Sequence, residues 1–217
     1  MKSRVLEDCL VRRARRDDRD AIRRIFASTL ALGRPVSVGG VGAYADFSLD
    51  WYLDGSDSAH VHLERHHVTG YVLVCTDEDA YEAHQRRAAL RYGRALLRTL
   101  ANGHLDADAR RFHRLRIEDG WRLYRQGPVR PADGHIHLNL LPGARASQAG
   151  RRLIDAADEI VGRAGHDAWY AQINAPVGRR ADALVRLGAE VIHRDENLTL
   201  TEWLGRPVER LTILRRL

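Results

Sequence analysis

The first third of the chain alternates between short apolar runs and apolar residues at helical spacing. The short runs predict three strands, and the three- and four-residue spacing predicts two helices between the first strand and the second. The predicted elements are strands at 9–14, 61–66 and 69–75, a helix with its apolar face over 21–30, and a helix over 44–53. Gly33 and Pro35 end the first helix, residues 54–58 form a turn, and a tight turn at 66–69 joins the last two strands.

Residues 76–134 interrupt this alternation with a charged, helical segment. Apolar residues recur at helical spacing from Tyr81 to Leu100, Asn102 and Gly103 break that helix, and a second helix is predicted over 107–124. We interpret the segment as a helical hairpin packed on the rest of the domain. A cover over a substrate or partner site is the alternative, and the two interpretations are compatible.

The last third returns to alternating strands and helices. Strands are predicted at 135–141, 168–174, 191–193, 198–203 and 210–214, and helices at 148–164 and 179–187. This alternation indicates an α/β fold, and the length favours one domain over 1–217.

Composition narrows the class of protein. Of the 217 residues, 44% are hydrophobic and 29% charged, as in ordinary globular proteins. Apolar runs stay well short of the roughly eighteen residues that a membrane helix needs, and the N-terminus lacks a signal-peptide core. Cys9 and Cys75 show no metal-ligand spacing, so we expect a reduced cytoplasmic location without membrane contact.

The net charge of +6 comes almost entirely from arginine, since Lys2 is the only lysine. Much of the charge occurs as mixed pairs, as over 15–20. Basicity suits a polyanionic ligand, and both a nucleotide cofactor and a nucleic acid fit that description.

One segment, 135–154, combines a buried strand, a loop of small residues and a helix start that carries Arg151 and Arg152. A helix N-terminus offers free backbone N–H groups and a positive dipole end, which together bind phosphate. The sequence therefore predicts a phosphate-binding loop, with at least one of these arginines assisting it. The alternative is that both arginines are simply a solvated helix start.

Four segments in this order resemble the GNAT (general N-acetyltransferase) superfamily. They are 11–22, 68–74, 135–154, and Asn174 followed by 183–189. A closer resemblance is to the acetyltransferase-like domain of O-GlcNAcases, which also has a helical insertion between its third and fourth strands and ends the fourth in Leu-Leu-Pro. Here those features are 76–134 and Leu140-Leu141-Pro142.

The resemblance implies a mixed central sheet that splays between strands 4 and 5, acetyl-CoA as acyl donor, and no metal. It implies a cofactor site at the positions that correspond to the family's site: Leu140, Leu141, Arg145, Gln148, Ala149, Gly150, Arg151 and Asn174. Asn174 would bind the pantetheine arm or an ordered water; otherwise it is a turn residue before Pro176.

Two positions depart from the family's pattern. Gln148 stands where the loop usually has glycine, which permits close approach of a pyrophosphate. Leu184 stands where many members have a tyrosine that protonates the leaving thiolate, although Tyr170 lies on the preceding strand.

Strand alternation places His135, His137 and Asn139 on one face of the fourth strand. A histidine near its usual pKa can take the proton that an amine must lose before attacking a thioester, and arylalkylamine acetyltransferases resemble this His-x-His. We predict His137, with His135, as the base. The alternatives are histidines that only hydrogen-bond locally, or two ligands of a metal site that no nearby cysteine or carboxylate completes.

Three hypotheses follow. The first is an N-acetyltransferase that transfers acetyl from acetyl-CoA to a small-molecule or peptide amine by direct attack. The second is a degenerate, non-catalytic domain that binds CoA or a partner. The third is a transferase with a larger acyl or aminoacyl-tRNA donor, and a homodimer stays open in all three.

Overall fold

The computed structural model describes residues 9–54, 59–127, 129–146, 148–178 and 188–217. The strands are β1 Cys9–Arg13, β2 Ala59–Glu64, β3 His67–Cys75, β4 His135–Leu140, β5 Ala168–Pro176, β6 Glu190–Glu196 and β7 Val208–Arg216. The helices are α1 Arg19–Thr29, α2 Val41–Leu53, α3 Glu78–Ala101, α4 Ala107–Gln126, α5 Ala149–Arg163 and α6 Leu198–Leu204, with short 3-10 turns at Arg16–Asp18 and Pro142–Ala146.

The strands form one seven-stranded sheet in the order β1-β2-β3-β4-β5-β7-β6. β4 and β5 run parallel, and the other neighbouring strands are antiparallel. Within the described residues, β4 and β5 pair in register at His135 and Tyr170 alone, whereas β5 pairs with β7 along its whole length. The predicted mixed sheet that splays between strands 4 and 5 is therefore confirmed.

Each face of the sheet carries its own apolar core, because side chains along a strand alternate between faces. One face packs against α5 through Val72, Val74, Ile136, Leu153 and Trp169. The other packs against α1 and α2 through Ile22, Phe26, Leu49, Tyr71 and Leu73.

The predicted insertion is present as two helices between β3 and β4. Side-chain caps start both helices: Asp77 accepts from the Ala80 N–H, and Asp106 accepts from the Ala109 N–H. Both helices contribute to the α1 and α2 face of the sheet, α3 by packing on α2 and α4 by packing on α6. The Phe112 ring of α4 meets the Trp203 ring of α6 at a centroid distance of 5.3 Å.

A buried ionic group fixes α4 to the sheet. Asp119 of α4 is 1% exposed and accepts from the guanidinium of Arg210 on β7, which is 6% exposed. The Asp119 carboxylate also lies 3.2 Å from Arg122 and 3.5 Å from the Thr199 hydroxyl of α6. Since charges this deep are retained only when paired, the group determines where the insertion sits.

Two predicted elements differ in the structure. The segment predicted as a strand at 198–203 is the helix α6, because the Asn197 side chain accepts from the Leu200 N–H and caps it. The hairpin turn predicted at 66–69 lies at Arg65 and His66, whose φ angles of 49° and 67° suit a two-residue turn. The predicted helix at 179–187 and most of the turn at 54–58 fall outside the described residues.

No helix in the described part of the chain combines the length and the apolar character needed to cross a membrane.

Candidate active site

The face of β4 toward α1 and α2 carries the predicted polar row. The Asn139 side-chain N–H donates to the Tyr71 hydroxyl at 2.8 Å and lies 3.2 Å from His137 Nε2. The His137 ring meets the Phe26 and Tyr71 rings edge-on at 5.7 and 5.6 Å. Because Nε2 of His137 faces an N–H donor, it is the unprotonated nitrogen of a neutral imidazole.

His135 is held by side chains from two helices. Its Nε2 contacts the hydroxyl of Tyr52 on α2, and its Nδ1 contacts the carboxylate of Glu78 on α3. The carboxylate fixes Nδ1 as the donor, so Nε2 accepts from Tyr52. The Tyr81 ring stands 4.5 Å from the His135 ring, and Tyr170 of β5 lies across from it at 5.5 Å. His135 thus sits in a buried, carboxylate-supported polar network.

The two histidines differ in their electrostatics. Burial, and secondarily the neighbouring His135, lower the pKa of His137 to about 4, so that it is neutral at pH 7. Burial raises the pKa of Tyr52 well above its usual value and that of Tyr81 to about 12, so both hydroxyls keep their protons. The prediction of His137 as the base requires a histidine near its ordinary pKa. Because the ring is buried, its pKa lies well below that value.

The sequence analysis missed Glu78 and left Tyr52 unassigned. Glu78 is the first residue of α3, and it reaches His135 only because β3 and β4 are neighbours in the sheet. A carboxylate in the first turn after a strand is a weak signal, since acidic residues are common there as partners of the helix dipole.

Three potential metal ligands also meet at this point. One ligand atom each from Cys75, Glu78 and His135 lies within 4.8 Å of the other two, and all three residues are buried. These residues could hold a divalent cation such as zinc. The prediction that no cysteine or carboxylate lies near the histidines is therefore wrong.

The gap between β4 and β5 opens beyond His135. The Leu141 N–H donates to Thr69 O of β3 at 2.9 Å, so Leu141 directs its backbone away from the gap. In an antiparallel pair, the backbone N–H and C=O groups of successive residues point alternately toward the partner strand and away from it. Those of Leu138 and Leu140 therefore point toward β5. The far wall of the gap is β5, where Gln172 is exposed.

Leu140 holds the end of β4 in place. A Cβ on Gly70 would lie 2.3 Å from its side chain, and a Cβ on Gly150 of α5 would lie 3.4 Å from it. The two glycines therefore let β3 and the start of α5 close on Leu140 from either side.

The arginine side chains around the loop before α5 contact other partners and do not converge on the predicted phosphate site. Arg145 Nε donates to Leu140 O at 3.2 Å, and its guanidinium lies against Gly33 in the α1–α2 loop. Arg151 pairs with Asp155 at 3.0 Å on the exposed face of α5. Arg152 faces β2, where burial and, secondarily, the Arg152 charge lower the pKa of His62.

Gln148 causes no backbone strain at the start of α5. Its φ of −73° is ordinary for any residue, so a glycine is not required by conformation here. Ala149 is buried beneath Gln148, whose side chain is exposed. The backbone N–H groups of the first turn of α5 are the part of the predicted phosphate site that does not depend on side-chain direction.

Asn174 lies within β5 and is not a turn residue. Its Oδ1 accepts from the Asn197 side chain at 2.7 Å, and Asn197 in turn caps α6. Asn174 therefore links the wall of the gap to the helix that α4 packs against.

Several solved structures with this fold are named N-acetyltransferases. No family model and no curated protein matches the sequence. Among solved structures, SsHAT is 21% identical with a TM-score of 0.61, and 96% of this chain and 98% of that one are covered. The yncA structure of Salmonella typhimurium with its cofactor acetyl-CoA is 16% identical, at 96% and 94% coverage and a TM-score of 0.53. A ribosomal-protein-alanine N-acetyltransferase from Brucella melitensis is also 16% identical, at 96% and 99% coverage and 0.53.

At these identities the likeness shows the fold. The chain has the mixed, splayed α/β fold of the GNAT acetyltransferases, as the sequence resemblance predicted.

Proposed function

We propose that this chain is an N-acetyltransferase that uses acetyl-CoA and transfers its acetyl group to an amine by direct attack. The observation that carries the proposal is the gap between β4 and β5, which opens beyond His135 and toward which Leu138 and Leu140 direct their backbone groups. The fold shared with named N-acetyltransferases supports it. The acceptor class is a small-molecule or peptide amine.

The residues around the gap fit acetyl-CoA, which supplies an activated thioester when bound. Backbone N–H groups of β4 at Leu138 and Leu140 would donate to the thioester carbonyl and stabilise the negative charge that attack creates there. The N–H groups of Gln148, Ala149 and Gly150 at the start of α5 would hold the pyrophosphate. Arg151 would join them by leaving its exposed pair with Asp155, which costs little at a solvated surface.

The proton lost by the amine needs a group that retains it. His137 retains a proton poorly, because burial lowers its pKa to about 4. His135 is better placed, because the Glu78 carboxylate accepts its Nδ1–H and leaves Nε2 as the nitrogen that takes a proton. The Tyr52 hydroxyl donates its own proton to Nε2 and takes the amine proton in exchange. We therefore assign the base to His135 with Glu78 as its positioning residue, and we assign to His137 the role of a neutral hydrogen-bonding group beside the acceptor.

The same proposal includes the closer kinship with the acetyltransferase-like domain of O-GlcNAcases. What supports it is the pair of helices between β3 and β4 together with the Leu140-Leu141-Pro142 end of β4. A cytoplasmic location and a homodimer remain predictions.

Calorimetry with acetyl-CoA, followed by thiol release across a panel of amines, tests the function. We expect saturable binding and turnover with at least one amine class. Binding without turnover of any amine would favour the non-catalytic CoA binder, and no binding at millimolar acetyl-CoA would refute both. An aminoacyl-tRNA donor would instead show salt-sensitive tRNA binding and transfer from that donor.

Glu78→Gln tests the base assignment. Loss of the carboxylate should lower kcat/KM by about 100-fold, the lower end of general acid–base effects. His193→Gln, at an exposed position on β6, is the matched control and should behave as wild type. A Glu78→Gln protein with the kcat/KM of the wild type would contradict the assignment.

A further inference from the structure

Helix α3 contains a stretch whose charge is unlike that of the rest of the chain. Residues 83–105 include five arginines and no aspartate or glutamate, although the whole chain has 29 acidic residues. The mixed charge pairs seen elsewhere are therefore missing from this stretch.

Four of these arginines lie on one side of the helix. Arg87, Arg91, Arg94 and Arg98 are separated by four, three and four residues, which places them one above the other on an α-helix. At a rise of 1.5 Å per residue they span roughly 16 Å. All four are exposed in the structure, and we call them the arginine ridge.

The arginine ridge also differs from a set of exposed arginines elsewhere in the described residues that have a carboxylate partner. Within the described residues no carboxylate lies at salt-bridge distance from any of the four, and the contacts recorded are Arg87 to Ala83 O at 3.2 Å and Arg91 to His84 at 3.3 Å. Exposed arginines on other elements do pair with carboxylates: Arg114 with Glu118, Arg163 with Glu159, Arg194 with Glu209, and Arg216 with Glu190.

We infer that the arginine ridge is a binding surface for the phosphate backbone of a nucleic acid strand. Its length matches about five stacked nucleotides at 3.4 Å each, and no carboxylate among the described residues competes for its guanidiniums at salt-bridge distance. The contacts would be to phosphates, so binding would be independent of base sequence. This activity is separate from acetyl transfer and does not depend on it.

A charged membrane surface fits the same helix less well. Beside the arginine ridge, Leu90 and Leu97 lie on the outer side of α3 between Arg86 and the ridge residue Arg94. An interfacial helix needs a continuous apolar face to submerge, and here that face would carry two guanidiniums with it. This arrangement therefore favours a solvated polyanion.

Fluorescence anisotropy with a labelled 20-nucleotide RNA and a DNA of the same sequence tests the inference. Four phosphate contacts on a single strand give a slope of log K against log salt of about −3, or roughly a 50-fold loss of affinity between 50 and 200 mM salt. RNA and DNA that bind equally point to the shared backbone, whereas binding of RNA alone would make the 2′-hydroxyl part of the recognition. No binding to either strand at 50 mM salt would overturn the inference.

Two variants of equal charge separate the ridge from general basicity. Arg87, Arg91, Arg94 and Arg98 all changed to Gln should flatten the salt slope by about 3. The control changes the paired arginines Arg114, Arg163, Arg194 and Arg216 to Gln, which lowers the net charge by the same amount and should leave most of the slope.

An equal loss in the control would overturn the inference, as would retention of the protein by phosphatidylserine vesicles but not by RNA. Glutamine keeps helix propensity, and circular dichroism checks the fold. The double variants Arg87→Gln/Arg91→Gln and Arg94→Gln/Arg98→Gln should each remove about half of the effect.

Discussion

Changing Asp119 to alanine tests whether the buried ionic group holds the insertion on the sheet. Asp119 is 1% exposed and takes hydrogen bonds or ion pairs from Arg210 of β7 and Arg122 of α4. Alanine removes the one carboxylate that joins α4 to β7 in this group. Arg210, itself 6% exposed, would then have Asp195 at 3.8 Å as its remaining ionic partner.

The magnitude follows from the burial. Removing one partner of a buried ion pair costs roughly 3–5 kcal/mol, because the charge left behind is neither solvated nor paired. Since Asp195 still faces Arg210, we expect the lower end, about 3 kcal/mol. For a chain of this size each kcal/mol shifts Tm by about 2–4 °C, so Tm should fall by roughly 6–12 °C.

Urea unfolding followed by circular dichroism, with Tm from thermal melts, measures the change. Glu118→Ala is the control, because its exposed pair with Arg114 at 3.6 Å should matter by about 0.5 kcal/mol or less. Asp119→Leu combined with Arg210→Met should be more stable than Asp119→Ala, because it removes the buried Arg210 guanidinium together with the carboxylate that pairs with it. An Asp119→Ala protein within about 0.5 kcal/mol of wild type would refute the reasoning.

Three further predictions concern the candidate site. Gly70→Ala, whose Cβ would lie 2.3 Å from the Leu140 side chain, should lower the free energy of unfolding by about 1–3 kcal/mol. Gly93→Ala, in the open middle of α3, should raise it by about 0.5–1 kcal/mol. Equal effects of the two variants in urea unfolding would contradict this prediction. The pKa of folded His137, about 4, lies below its unfolded value, so the unfolded state binds more protons between these two values. The free energy of unfolding should therefore fall by up to about 3 kcal/mol from pH 6.5 to 4. His137→Gln should show a shallower fall, and an unchanged slope would contradict the burial of this ring. Gln148→Gly should leave the Kd for acetyl-CoA by calorimetry within about threefold, because its φ of −73° needs no glycine; tightening of tenfold or more would show that the side chain crowds the pyrophosphate.

Most of the fold could be predicted from the sequence because its signals are local. The alternation in β4 and the helical spacing in 76–134 each fix which side chains point inward, and both predictions were confirmed. Leu198–Leu204 was predicted wrongly because its apolar residues alternate as in a strand, while the Asn197 cap and the Phe112 contact with Trp203 favour a helix.

The candidate site depended more on the tertiary structure. The sequence by itself determined that His135, His137 and Asn139 share a face, because strand periodicity depends only on neighbouring residues. The tertiary structure decided that Glu78 and Tyr52, from two helices far apart in the chain, meet His135, and that Arg145 and Arg151 turn to other partners. It also decided that His137 lies deep enough for burial to lower its pKa, since desolvation depends on every element packed around the ring.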